Sequence, residues 1–295
     1  MSSDKFGFHI SVADGLLAGL QYALDAGCHS VQIFAGSNRS ASLKDKSKYT
    51  DDELLELRKF IKSHGMHVFI HVVYVINLCS VPASSGKAKY IHANILHDLE
   101  LAARLGAVGV IVHLGSAVGN SAEVAIANLV SNLEFIASKM PPRVKLILES
   151  SSGQGHQVGV SLEEFHHIYT LIPAKLRSKI GICLDTAHIA ASGYPINTLD
   201  GVQSFLGQFD KMFGLKKLVA IHLNDNPFPI GSRRDVHEII GQGALFKTPK
   251  NKEALAWLLA LTKKYKIPVI LETSGAGKEG STYPKQIGYL RKLLH

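Results

Sequence analysis

The chain has 295 residues, 46% of them hydrophobic, and its 32 Lys and Arg outnumber its 24 Asp and Glu, for a net charge of +8 at pH 7. This length and apolar content are typical of a globular protein with a large core. No apolar stretch approaches the ~18 residues that cross a bilayer, and residues 1–5 show no export or organelle signal, so we expect an intracellular, cytoplasmic protein without membrane contact. The pI of about 9.3 favours a polyanionic partner.

The three cysteines, Cys28, Cys79 and Cys183, are widely separated and lie in apolar or turn contexts. This pattern argues against a disulfide framework and against a cysteine-based zinc site. We therefore expect reduced thiols with a structural role.

Apolar runs typical of buried strands alternate with amphipathic helical stretches along the chain. The predicted strands cover residues 6–10, 30–34, 67–71, 108–113, 144–149, 180–185, 218–223 and 268–272. Between them lie patterns such as residues 52–61, with acids in the first turn and apolar residues at helical spacing. Eight such units predict an α/β protein, a single (β/α)8 TIM barrel over residues 1–295. Residues 225–250, rich in Pro, Gly and charge, are expected to form a functional loop over the barrel mouth.

The ends of these strands carry the most informative residues, because TIM-barrel enzymes place their active sites at the C-terminal ends of the strands. Six of the eight predicted strands deliver a His, Asp or Glu there. For a single strand, a hydrogen-bonded structural residue is the ordinary interpretation, but six coincidences at one rim favour a shared site. The six residues are His71, His113, Glu149, Asp185, His222, which lies one position before its predicted strand end, and Glu272.

Three further residues extend this set: His188, one turn after the sixth strand, and Asp235 and His237 in the long loop. All nine side chains offer oxygen or imidazole nitrogen, which suits catalytic Zn²⁺ or Mn²⁺. One zinc uses about three protein ligands, so nine indicate two or three ions with a bridging carboxylate. Such clusters suit phosphodiester hydrolysis.

Ordered motifs over nearly the whole chain resemble the endonuclease IV family, zinc-dependent apurinic/apyrimidinic endonucleases of base-excision repair. The matching segments are residues 7–11, 113–116, 148–155, 183–188, 222–225, 231–237 and 270–273. The resemblance implies a first zinc on His71, His113 and Glu149, a second on Glu149, Asp185, His222 and Glu272, and a third on His188, Asp235 and His237. Glu149 and Glu272 would be the catalytic carboxylates.

The implied reaction is incision of double-stranded DNA on the 5′ side of an abasic site by a metal-bridging hydroxide. It would leave a 3′-hydroxyl, and blocked 3′ ends would be trimmed as well. The pocket would accept an extruded abasic nucleotide. Arg39, Tyr74 and Val75 match the positions from which family members push side chains into the DNA stack, although a surface Arg and a packed Tyr are the plainer alternatives. We expect a monomer.

The chain departs from the family pattern at a few positions. Val236 stands where the family usually has Arg, Gln242 where it usually has an acid, and Asn226-Pro227 replaces small polar and basic residues. The ligands are intact, so these departures bear on loop geometry and on DNA affinity.

Two other functions are compatible with parts of the pattern. A sugar isomerase or epimerase of the same barrel superfamily would use strand-end carboxylates and His around one divalent ion, but it would leave His188, Asp235 and His237 unexplained. A non-catalytic protein that binds damaged DNA could retain the barrel and the basic charge, yet it would be expected to have lost at least one ligand.

Overall fold

The computed structural model describes residues 4–36, 42–273 and 283–294. Their eight strands are parallel and close into a barrel in chain order, with the first strand paired to the last. The strands are β1 (Phe6–His9), β2 (Ser30–Phe34), β3 (His67–His71), β4 (Gly109–His113), β5 (Lys145–Glu149), β6 (Ile180–Asp185), β7 (Leu218–His222) and β8 (Val269–Leu271). The predicted (β/α)8 TIM barrel is confirmed, and no strand end differs from its prediction by more than one residue.

Helices surround this barrel and bury their apolar faces against the strands. In the described residues they are α1 (Leu16–Asp25), α2 (Asp51–Ser63), α3 (Ala88–Leu105), α4 (Ala122–Lys139), α5 (Leu162–Leu171), α6 (Thr186–Ala191), α7 (Leu199–Phe213), α8 (Pro249–Tyr265) and α9 (Tyr283–Leu293). Helix α2 begins with a capping box in which the Thr50 side chain accepts from the Glu53 amide and Glu53 accepts from the Thr50 amide. None of the helices in these residue ranges is long and apolar enough to cross a bilayer.

The barrel interior contains a layer of six apolar side chains from six successive strands, β3 to β8. They are Phe69, Ile111, Ile147, Cys183, Ala220 and Ile270, and each is fully buried. Because side chains alternate along a strand, the residue two positions later also faces the interior. In all six strands that residue is a predicted metal ligand, so the ligands form the next layer toward the C-terminal rim.

The cysteines are buried and free, as predicted. Cys183 belongs to the apolar layer, where burial raises the pKa of its thiol to about 12. A thiol with so high a pKa is inert near neutral pH.

Two strand ends differ from the prediction in a way that concerns the site. His222 is the last residue of β7, and β8 ends at Leu271, one residue before Glu272. The Glu272 amide donates to the side-chain Oδ1 of Asn224 at 3.0 Å instead of to a neighbouring strand. Glu272 thus follows the strand and is held by a side-chain amide.

Candidate metal centre

The nine predicted ligands come together at the C-terminal ends of the strands. Eight of them form three groups in which the candidate ligand atoms all lie within 4.8 Å of one another. The ninth, Asp235, lies beside His188. The groups are His71, His113 and Glu149; Glu149, Asp185, His222 and Glu272; and Asp185, His188 and His237. Seven of the nine side chains, together with Tyr74 and Val236, line a cavity of about 630 Å³.

Glu149 lies at the centre of the cluster. Its Oε2 is 3.1 Å from His71 Nε2 and 3.0 Å from His113 Nε2, while its Oε1 is 2.7 Å from His222 Nδ1. Burial would raise the pKa of Glu149, but His222 and His113 more than offset it and hold the pKa well below its usual range. Glu149 is therefore a carboxylate whose two oxygens face different groups.

Backbone carbonyls orient two of the histidines. His71 Nδ1 lies 2.7 Å from the carbonyl oxygen of Val72, and His188 Nδ1 lies 2.7 Å from that of Ser150. A carbonyl oxygen only accepts, so both Nδ1 atoms carry the proton. The Nε2 atoms face the cluster, which is the arrangement expected of metal-binding histidines.

Gln32, which the sequence reasoning missed, orients His222. Its Oε1 accepts from His222 Nε2 at 2.7 Å, and its Nε2 donates to Glu272 Oε1 at 2.5 Å and to His9 Nδ1 at 3.1 Å. His222 therefore presents Nδ1 to the cluster. The available signal was a polar residue in the middle of the otherwise apolar run of β2.

Asn224 connects two of the carboxylates. Its Nδ2 donates to Asp185 Oδ2 at 2.7 Å and to Glu272 Oε2 at 3.1 Å. It is fully buried, and its Oδ1 accepts the Glu272 amide described above. From the sequence, Asn224 could be recognised only as part of a matching segment. Its role could not be predicted, because its two partners lie 39 and 48 residues away in the chain.

The third group combines the end of β6 with the long loop. His188 Nε2 lies 3.0 Å from Asp235 Oδ1, and His237 Nε2 lies 3.5 Å from both Asp235 Oδ1 and Asp185 Oδ2. Burial would raise the pKa of Asp235, but the neighbouring His188 and His237 lower it to about 2. The predicted trio is thus brought together, and the structure adds Asp185 beside it.

These residues fit a multinuclear divalent metal centre. Four carboxylates crowd into a buried space, which is unfavourable without nearby cations. His237 Nε2 is buried and has no hydrogen-bond partner among the described residues, although two carboxylates stand 3.5 Å away. A nitrogen lone pair and carboxylate oxygens that converge without bonding one another are the donor set expected around a zinc ion.

Two of the three residues expected to contact DNA lie exposed near the mouth of the cavity, outside the buried cluster of predicted ligands. Tyr74 and Val75 are 60% and 59% exposed. The Tyr74 ring lies 5.8 Å from the His71 ring and 5.5 Å from the His113 ring, at the mouth of the cavity. Arg39 lies outside the described residues.

The departures from the family pattern have different surroundings. Val236 lines the metal-site cavity and is 41% exposed, whereas Gln242 lies on the surface. Asn226 is buried; its Nδ2 donates to the Arg234 carbonyl at 3.0 Å and its Oδ1 accepts from the Phe228 amide at 2.9 Å. Asn226 therefore stabilises the loop that carries Asp235 and His237.

Similarity to known proteins agrees with this geometry. A family model described as "Xylose isomerase-like TIM barrel" matches residues 20–293. The chain is 34% identical to the "Probable endonuclease 4" of Trichlorobacter lovleyi over 99% of the chain and 100% of that protein. It is 32% identical to "Apurinic-apyrimidinic endonuclease 1" of Saccharomyces cerevisiae over 95% of the chain and 74% of that protein.

Among solved structures, endonuclease IV from Thermus thermophilus superposes with a TM-score of 0.78 at 27% identity, over 98% of both chains. The resemblance noted from the motifs is thus confirmed over the full barrel. The chain belongs to the endonuclease IV family of apurinic/apyrimidinic endonucleases, and it is an enzyme of that type.

Proposed function

We propose that the enzyme hydrolyses the phosphodiester on the 5′ side of abasic sites in double-stranded DNA, leaves 3′-hydroxyl ends and trims blocked 3′ ends, in base-excision repair. The observation that carries the proposal is the convergence of eight predicted oxygen and nitrogen ligands in three adjoining groups at one rim, with the ninth, Asp235, beside His188 and His237. Relatives over the full chain are named for endonuclease and apurinic-apyrimidinic endonuclease activity.

The proposed metals are three zinc ions, with Mn²⁺ as an alternative at some positions. The first would be held by His71, His113 and Glu149, the second by Glu149, Asp185, His222 and Glu272, and the third by His188, Asp235 and His237. When bound, such ions supply an activated water and neutralise charge on the phosphate and the leaving oxygen.

The chain's own residues have separate tasks in this proposal. Glu149 and Glu272 hold negative charge at the centre of the site, because nearby histidines keep the pKa of both carboxyls low. Tyr74 and Val75 stand exposed at the mouth, where they contact the DNA stack. An abasic nucleotide rotates out of the duplex more readily than an intact one, since it has no base pair to break. The 630 Å³ cavity receives it.

The sugar isomerase alternative requires one divalent ion. It gives no role to His188, Asp235 and His237. A non-catalytic DNA-binding protein would not need nine intact ligands. The experiment below distinguishes all three.

The test is cleavage of an end-labelled duplex that contains one tetrahydrofuran abasic analogue, before and after prolonged chelation, with metal counted on the same preparation. The analogue cannot undergo β-elimination, so a product cut on the 5′ side reports hydrolysis. We expect incision that chelation removes and zinc restores, with three zinc ions per chain. Intact duplex and one ion would instead favour the isomerase, and tight binding without incision would favour the DNA-binding protein. Gel filtration on this preparation checks the predicted monomer of 32.0 kDa.

A further inference from the structure

Two of the three proposed ligands of the third zinc lie on a connection without regular structure. Residues 223–248 between β7 and α8 contain neither helix nor strand, yet they carry Asp235 and His237. A connection of this length is uncommon in a compact domain and is usually functional. Holding these two ligands beside His188 requires specific contacts elsewhere in the loop.

The carboxylate of Asp225 supplies the largest set of these contacts. The residue is fully buried and forms no ion pair with a described cation. Its Oδ1 accepts the amides of Asn226 and Leu245 at 2.8 and 2.9 Å, and its Oδ2 accepts those of Gly241 and Phe246 at 2.9 and 3.3 Å. One carboxylate therefore ties the beginning of the loop to its end.

The close packing around Asp225 requires a glycine. A Cβ added to Gly243 would lie 2.4 Å from Asp225 Oδ1 and 2.6 Å from the Asn226 carbonyl oxygen. Only a residue without a side chain lets the returning backbone approach so closely. Gly243 belongs to the Gly-Gln-Gly segment of the loop.

Asp225 and Asn226 also bind the residues on either side of the two loop ligands, Asp235 and His237. The backbones of Asp225 and Glu238 exchange hydrogen bonds of 3.2 and 2.8 Å, which fixes the residue after His237. The Asn226 side chain donates to the carbonyl of Arg234, the residue before Asp235. The segment 234–238 is therefore bound at both ends to residues 225 and 226.

We propose that Asp225 is a positioning residue that holds Asp235 and His237 at ligand distance from His188, so that loss of its charge empties the third metal site alone. The role rests on the proposed three-zinc centre. An asparagine at this position keeps the shape of the carboxylate. Its NH2 group, however, faces two of the four backbone N–H groups and cannot accept hydrogen bonds from them. The first and second sites keep their ligands, because those ligands stand at the ends of strands and outside this loop.

The test compares Asp225→Asn with Asp210→Asn in the zinc-loaded enzyme. Asp210 is the control: it is exposed, and its Oδ1 accepts one backbone amide, that of Leu215 at 2.6 Å, outside the metal-site loop. Zinc per chain is measured after dialysis against a weak chelator, and its release to a chromogenic chelator is followed in time. We expect three zinc ions for the wild type and for Asp210→Asn, and two for Asp225→Asn, with the third released at least about 10-fold faster.

Three results would overturn this role. In the first, Asp225→Asn retains three zinc ions and releases them at the wild-type rate. In the second, Asp225→Asn loses zinc equally from all three sites. In the third, the wild type never holds three zinc ions. The last result also removes the three-zinc proposal, so the two failures are distinguishable. If Asp225→Asn does not fold, the test uses Asn226→Ala, which removes the contact with the Arg234 carbonyl. This variant is expected to lose the third zinc selectively. Three zinc ions with wild-type release in Asn226→Ala would contradict the role.

Discussion

Two neighbouring layers inside the barrel come from the same six strands and have opposite chemistry. The lower layer, which contains Ile147 and Cys183, is apolar and needs no hydrogen-bond partner. The upper layer, two residues later along the chain, holds Glu149, Asp185 and the other four predicted ligands at the strand ends. One strand thus supplies stability and function at successive inward positions. Changes in the lower layer should therefore affect folding, and changes in the upper layer should affect metal and catalysis.

The largest expected effect is that of Glu149→Gln in the upper layer. An amide cannot bridge two metals as a carboxylate does, so incision of the abasic-analogue duplex should fall by about 10³-fold or more. The fold should remain largely intact, because the change is isosteric. Single-turnover kinetics and circular dichroism measure the two quantities. Glu56→Gln, on the exposed face of α2, is the matched control, and near-normal incision by Glu149→Gln would remove its bridging role.

The lower layer is tested by Ile147→Ala, two residues before Glu149. Deleting a fully buried side chain should lower the free energy of unfolding by about 2–5 kcal/mol. Zinc content at low temperature should stay normal, because no ligand is changed. Urea unfolding of the chelated protein measures the loss, with the half-exposed Leu55→Ala as the control. A normal unfolding midpoint together with lost zinc would contradict the division between the layers.

A smaller effect is expected for Gln32→Met, which keeps the size of the side chain but removes its contacts with His222 and Glu272. Without them His222 can turn its other nitrogen to the site, so the second zinc should bind about 10- to 100-fold more weakly. Chelator competition measures the affinity. Gln203→Met, on the surface of α7, should bind zinc normally. Unchanged affinity in Gln32→Met would mean that the ligands are held without this amide.

The smallest effect is expected above the two layers, at Tyr74→Ala. Loss of one stacking contact should reduce discrimination between abasic and intact duplex by about 10-fold while zinc content is kept. Binding of the two duplexes at one salt concentration gives the ratio. Tyr90→Ala, an exposed tyrosine on α3, is the control. Equal discrimination in Tyr74→Ala would show that this ring does not read the lesion.

The barrel and most of its candidate site could be predicted from the sequence alone. Alternation of apolar runs and amphipathic helices is a local property, so all eight strands could be predicted, and the strand-end residues, such as His113 and Asp185, followed from them. The sequence also located Asp235 and His237, through the ordered motif that surrounds them. These features depend on residues close together in the chain.

The orientation of the predicted ligands could not be predicted from the sequence, because it depends on contacts between distant parts of the chain. Gln32 meets His222 across 190 residues and Glu272 across 240, and no local pattern announces such a contact. The same holds for Asn224, and for Asp225, whose carboxylate closes a loop of irregular backbone. Hydrogen bonds of buried amides and carboxylates depend on which strands and loops become neighbours, and that is settled only when the barrel closes.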